Sequence, residues 1–142
     1  MNIIIDSNVL FSALIKNSVT RKVLLEYEDF FLFPSYILIE LRKHKKEVLN
    51  KSRMTEKDFD KLLQLILSRV LMVQTGDLLT YRKKALEIVK DIDINDVLFV
   101  ACALAHKNSV IWSDDKALKT QKKVKVINTK EILKMLKKPQ TI

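Results

Sequence analysis

The chain has 142 residues, 48% of them hydrophobic and 30% charged, which suits one globular domain over residues 1–142 with a core of its own and excludes a disordered polymer. No apolar run approaches the roughly 20 residues that span a bilayer, and no basic segment precedes Ile3, so a cytoplasmic protein without a membrane partner is expected. The net charge of +9 favours a polyanionic partner such as nucleic acid, because neutralising phosphates releases counterions, although a Lys-rich solvated surface gives the same total. A single cysteine, Cys102, excludes an intramolecular disulfide, and its place inside Val97–Ala105 reads as core. His44 and His106 have no partner at ligand spacing, which sets zinc aside.

Residues 2–5, Asn-Ile-Ile-Ile, form a short continuous apolar run, as expected of a strand covered on both faces. Asp6 ends it, and Ser7 and Asn8 offer cap chemistry for a helix through Leu14. A helix over Arg21–Tyr27 follows. Phe30–Phe33 is a second strand stopped by Pro34, with Ser35 placed to cap a helix from Tyr36 to Leu49. Thr55 and Asp58 resemble a capping box ahead of Phe59, Leu62, Leu63, Ile66 and Leu67 at helical spacing. Val70–Val73 suits an edge strand, Gly76-Asp77 a turn, and Leu78–Lys90 an amphipathic helix. Three aspartates then fall within residues 91–96, before the apolar helix Val97–Ala105 and the β-prone Val110–Trp112. Lys116–Lys123 reads as a basic helical turn, Val124–Ile127 as a last strand, and Thr129 as the cap of a helix ending near Lys137. Strands alternate with helices throughout, which predicts an α/β fold: a three-layer α/β/α sandwich around a central, mostly parallel sheet.

In such a sheet ligands gather outside the carboxyl ends of the strands, and acids stand at those places. Asp6 follows a buried strand, where a free carboxylate is costly without a cation or donors; as a turn residue or helix cap it needs neither. Asp93 and Asp96 begin a helix, so capping of free N–H groups competes with ligation, and Asp96 lies directly against the buried run. Glu40 stands one turn from Tyr36 and Ile37; its alternative is an ordinary helix-surface pair with Lys43 or His44. Ser113-Asp114-Asp115 closes a strand, and adjacent side chains diverge, so one aspartate faces the site; Asp115 is favoured, with Ser113 on its side as a donor. Oxygen ligands alone suit a hard cation such as Mg²⁺ or Mn²⁺, which would acidify an attacking water and stabilise charge on a phosphate and its leaving oxygen.

These segments resemble the PIN domain family. Asp6-Ser7-Asn8-Val9-Leu10 is similar to its N-terminal motif, and Glu40 within Leu38-Ile39-Glu40-Leu41 to its second acid. Asp93-Ile94-Asn95-Asp96-Val97-Leu98-Phe99-Val100-Ala101 and Ile111-Trp112-Ser113-Asp114-Asp115 resemble its third and fourth motifs, in order, over about residues 1–136. The resemblance implies an RNA-cleaving endoribonuclease with Asp6, Glu40, Asp96 and Asp115 around Mg²⁺ or Mn²⁺. Asn8, Asp93, Ser113 and the extra Asp114 support them. It also implies a VapC-like toxin with a small antitoxin partner and a homodimeric state. Two alternatives remain at this stage. One is an inactive RNA-binding or assembly subunit of the same fold. The other is a haloacid-dehalogenase-like phosphohydrolase, against which Asn8 stands where a second aspartate is needed.

Overall fold

The computed structural model describes residues 1–136. Five strands form one parallel sheet: β1 (Asn2–Ile5), β2 (Phe31–Pro34), β3 (Val70–Val73), β4 (Ser109–Trp112) and β5 (Val126–Ile127). Their spatial order is β3-β2-β1-β4-β5, with every neighbouring pair parallel. The chain therefore winds outward from β1 to β3, then returns past β1 to β4 and β5.

Right-handed crossovers put the helices of the two windings on opposite faces of the sheet. On the first face α1 (Ser7–Ile15), α2 (Val19–Glu26), α3 (Tyr36–Ser52) and α4 (Glu56–Leu67) pack with one another. On the second, α5 (Thr75–Leu78), α6 (Arg82–Val89) and α7 (Val97–Ala105) do the same, and α7 lies across β1, β2 and β4. The final helix is α8 (Thr129–Leu136). This is the α/β/α sandwich expected from the sequence. Ile3, Ile4 and Ile5 are fully buried, as are Phe31, Phe33, Ile111 and Trp112, which is why these strands read as unbroken apolar runs.

Several local expectations are corrected, some of them by a side chain that takes up backbone groups. Asp6 caps α1, accepting the Val9 N–H at 2.9 Å; neither Ser7 nor Asn8 does so. Ser35 makes no side-chain cap, and Pro34 ends β2 from inside it, at a last position paired with Val73. Gly76 lies within the short helix α5, second after Thr75, rather than in a turn; space around it is open, and no positive φ demands a glycine. The expected helix from Leu78 begins as a 3₁₀ turn, Leu79–Tyr81, before α6. Lys116–Lys123 contributes only a 3₁₀ turn at Leu118–Thr120. β5 is half the expected length because the Gln121 amide bonds the Val124 N–H and C=O, which are then lost to the ladder. Asn128 and Glu131, not Thr129, form the reciprocal cap of α8: Asn128 Oδ1 accepts the Glu131 N–H at 2.8 Å, and Glu131 Oε1 accepts the Asn128 N–H at 3.2 Å. The expected end of that helix near Lys137 lies outside the described residues. The Thr55 cap of α4 forms as expected, accepting from the Asp58 N–H at 3.2 Å.

Candidate functional site

Strand order reverses between β1 and β4, and their carboxyl ends leave a crevice there, the place where open α/β sheets hold ligands. Asp6 and Ser113 immediately follow the two strands, which stay joined to the last residue: the Asp6 N–H donates to the Trp112 carbonyl at 3.3 Å. Of the four buried polar residues among those described, three gather at these ends: Asp6, Ser7 and Ser113. Polar groups are withdrawn from water only at a cost, so their concentration at one point marks it out.

A cleft of about 350 Å³ opens beside them, lined by Asp6, Ser7 and Asn8 from the β1–α1 junction, Tyr36, Glu40, Lys43 and His44 from α3, and Asp93, Asn95, Asp96 and Phe99 from the start of α7. Three segments far apart in sequence thus bring Asp6, Glu40, Asp93 and Asp96 to one wall-lined space. Asp115 does not line the cleft, yet its charge is felt at both Asp6 and Asp96.

Asp96 is the most perturbed acid. Desolvation pushes its pKa up from 3.8 to about 7, and the charges of Asp93, Asp115, Asp6 and Glu40 push in the same direction. Its Oδ2 is sealed from solvent without any hydrogen-bond partner. Asp6 is also raised, first by burial and then by Asp114 and Asp115; bonds from the Ser113 hydroxyl and the Val9 N–H offset part of this. Glu40 bonds neither Lys43 nor His44. The Ser7 hydroxyl donates to its Oε1 at 3.1 Å, tying α3 to the end of β1.

The remaining candidates divide by what already holds them. Asp93 Oδ1 accepts the Asn95 N–H at 2.9 Å, capping the 3₁₀ turn Ile94–Asp96 that leads into α7. Asp115 Oδ1 accepts the N–H groups of Ala117 and Leu118, at 2.9 and 3.4 Å, and its own N–H bonds the Ser113 hydroxyl at 3.1 Å. Asp114 turns both oxygens to Thr129, accepting its N–H at 2.8 Å and its hydroxyl at 2.7 Å. The Thr129 Oγ1 also accepts the Trp112 indole N–H at 3.0 Å, so Asp114 anchors α8 to the end of β4. Tyr36, Lys43, His44, Asn95 and Phe99 were not singled out as site residues from the sequence. The signal was available on α3, where positions 36, 40, 43 and 44 share one helical face.

Hard oxygen donors, a raised half-buried carboxyl and an orphaned Asp96 Oδ2 fit a divalent cation chemically. Among the described residues no three carboxylate, imidazole or thiolate groups form a ready-made cage.

Fold and site together define an α/β protein with an acid-lined crevice at the reversal of its winding. The chain belongs to the PIN domain family, whose profile matches residues 4–137. It is similar to a chain in the crystal structure of VapBC2 from Rickettsia felis bound to a DNA fragment from their promoter, with a TM-score of 0.66 and 18% identity over 90% of this chain and 98% of that one. At that identity the likeness is one of fold. No curated protein matches the sequence. No helix among the described residues is long and apolar enough to cross a membrane.

Proposed function

We propose that the chain is a divalent-metal-dependent endoribonuclease, the toxin of a toxin–antitoxin pair. The observation that carries this reading is the meeting of Asp6, Glu40 and Asp96 in one cleft, within the field of Asp115, with one Asp96 oxygen buried and unpaired. So many carboxylates repel one another and a phosphate alike, an arrangement that makes sense when a cation is part of the working protein.

Asp6, Asp96 and Asp115 would hold Mg²⁺ or Mn²⁺, with Glu40 completing the set. When bound, the ion supplies acidification of a water and charge neutralisation at the phosphate. Glu40, fixed by the Ser7 hydroxyl, orients the attacking water. Ser113 and the Val9 N–H hold the Asp6 carboxylate in place. Asn8 and Asp93 border the same space as hydrogen-bonding and electrostatic support. Attack of water at phosphorus breaks the P–O3′ bond, leaving a 5′-phosphate and a 3′-hydroxyl. Lys43 lines the cleft, whereas Lys45 is committed to Asp60 and Glu56 at 3.2 and 3.5 Å, so Lys43 is the α3 lysine placed to meet the RNA backbone.

Membership of this family and likeness to a VapBC2 structure support a small antitoxin as inhibitor and a homodimeric state as parts of the same proposal. The test is incubation of purified protein with RNA in Mg²⁺, Mn²⁺ or EDTA, beside Asp96→Asn. Metal-dependent cleavage that is lost in the variant supports the proposal. RNA binding without cleavage in either metal would make the chain an RNA-binding subunit instead.

A further inference from the structure

The face of α3 that carries Glu40 also presents Tyr36, Lys43 and His44 to the cleft. The acids and Lys43 account for the phosphate; Tyr36 and His44 have no part in that chemistry. His44 is not there to fill the core, since half of its side chain, 51%, remains exposed. It is nonetheless held. Glu47 Oε2 lies 3.7 Å from its Nδ1, and Glu47 is itself fixed by Lys51 at 2.9 Å. The Phe11 ring meets it in a T-shaped contact, with centroids 6.0 Å apart and planes at 60°. No aromatic partner among the described residues lies parallel to the imidazole. A planar ring steadied at its edge, half exposed and facing an active cleft is a stacking platform without an occupant from its own chain.

We propose that Tyr36 and His44 form a wall that seats one unpaired nucleobase beside the cleaved phosphate, with the Asn95 amide placed to hydrogen-bond the base edge, a proposal that rests on the nuclease reading and adds its specificity-determining residues. The size of the space agrees. At about 350 Å³ it stands at the small end of the roughly 300–1,000 Å³ typical of ligand pockets, which suits a single nucleotide rather than a paired stem. Bases stack on aromatic and imidazole rings in single-stranded recognition, and amide side chains read their polar edges. Lys43 on the same face takes the adjoining phosphate.

The test joins binding to cut-site mapping in the full-length protein. Binding is read by fluorescence anisotropy of short labelled oligoribonucleotides, one for each base, in Ca²⁺; cut sites are read by sequencing the ends of random-sequence RNA cleaved in Mg²⁺ or Mn²⁺. His44→Ala should weaken binding of the preferred oligonucleotide about tenfold and flatten the preference among the four. Tyr36→Ala should do the same, and His44→Phe should restore both affinity and cut-site pattern. His44→Ala with unchanged affinity and unchanged cut sites overturns the proposal. So does a His44→Phe variant as impaired as His44→Ala, with kcat lowered at constant KM, because that would make the imidazole a proton carrier. Wild type that binds with a base preference sensitive to His44 but cuts nothing removes the nuclease reading and keeps the wall. Wild type and His44→Ala cutting identical sites at equal rates removes the wall and keeps the nuclease.

Discussion

Asp96 concentrates the tension of this molecule in a single side chain. Its carboxyl is pushed to about 7 by burial and by the acids around it, so near neutral pH the metal-free protein holds a proton there for much of the time. Replacement by Asn keeps the shape and removes both the charge and the proton. Asp96→Asn should therefore reduce RNA cleavage by about two orders of magnitude or more, measured as initial rate in saturating Mn²⁺. The same variant should melt higher than wild type at pH 8 without metal, because the unfavourable ionisation is gone. A second contrast belongs to the adjacent pair at the end of β4. Asp114→Ala removes the anchor of Thr129 and should cost about 1–2 kcal/mol of stability by denaturant titration. Asp115→Ala should cost cleavage first. Larger activity loss from Asp114→Ala than from Asp115→Ala would reverse that assignment.

At the scale of elements, the sequence announces what is local and is silent about what is assembled. The apolar runs of β1, β2 and β4, the capped start of α4 and the acids at strand ends all follow from short-range pattern, and the four acid-bearing segments were readable in order. The Ser7–Glu40 bond was not readable, because it joins residues 33 apart and exists only once α1 packs on α3. Nor was the tie between Asp114 and Thr129, which needs β5 and α8 in place beside β4. Caps were misassigned where polar residues stood side by side, as at Asp6-Ser7-Asn8 and Asn128-Thr129, since composition does not say which side chain turns back to the helix. The face of α3 was passed over because His44 was weighed only as a metal ligand or as a helix-surface partner of Glu40. Glu40 depends on the packing beneath it: Ile37, one turn earlier, is fully buried. Ile37→Ala should cost about 2–5 kcal/mol and, at temperatures where the protein remains folded, lower kcat more than it raises KM.

For the molecule as a whole, charge is unevenly divided: the chain carries a net +9, yet its cleft gathers Asp6, Glu40, Asp93 and Asp96. Raised acids make stability depend on pH with a definite sign. Between 3.8, the ordinary value for Asp96, and about 7, the folded protein binds more protons than the unfolded chain, so metal-free stability from this group falls as pH rises through that window. The contribution is intact below the window and lost above it. The difference in melting temperature between wild type and Asp96→Asn, followed from pH 5 to pH 8, isolates it; a difference independent of pH would refute this account. Millimolar Mg²⁺ or Mn²⁺ should raise the wild-type melting temperature more at pH 8 than at pH 5, since cation and proton compete for the same oxygens. RNA affinity should fall steeply with added salt, in proportion to the number of phosphates met by lysine and arginine.

The insertion of β4 beside β1, at the heart of the sheet, has a bearing on how such a protein is made. Asp6 and Glu40 are synthesised well before Asp96, Asp115 and the strand that brings Asp115 up beside Asp6. A copy made only as far as β3 lacks both Asp96 and Asp115 and the strand that pairs with β1 on its other side, so the acids cannot gather until β4 has been made and inserted.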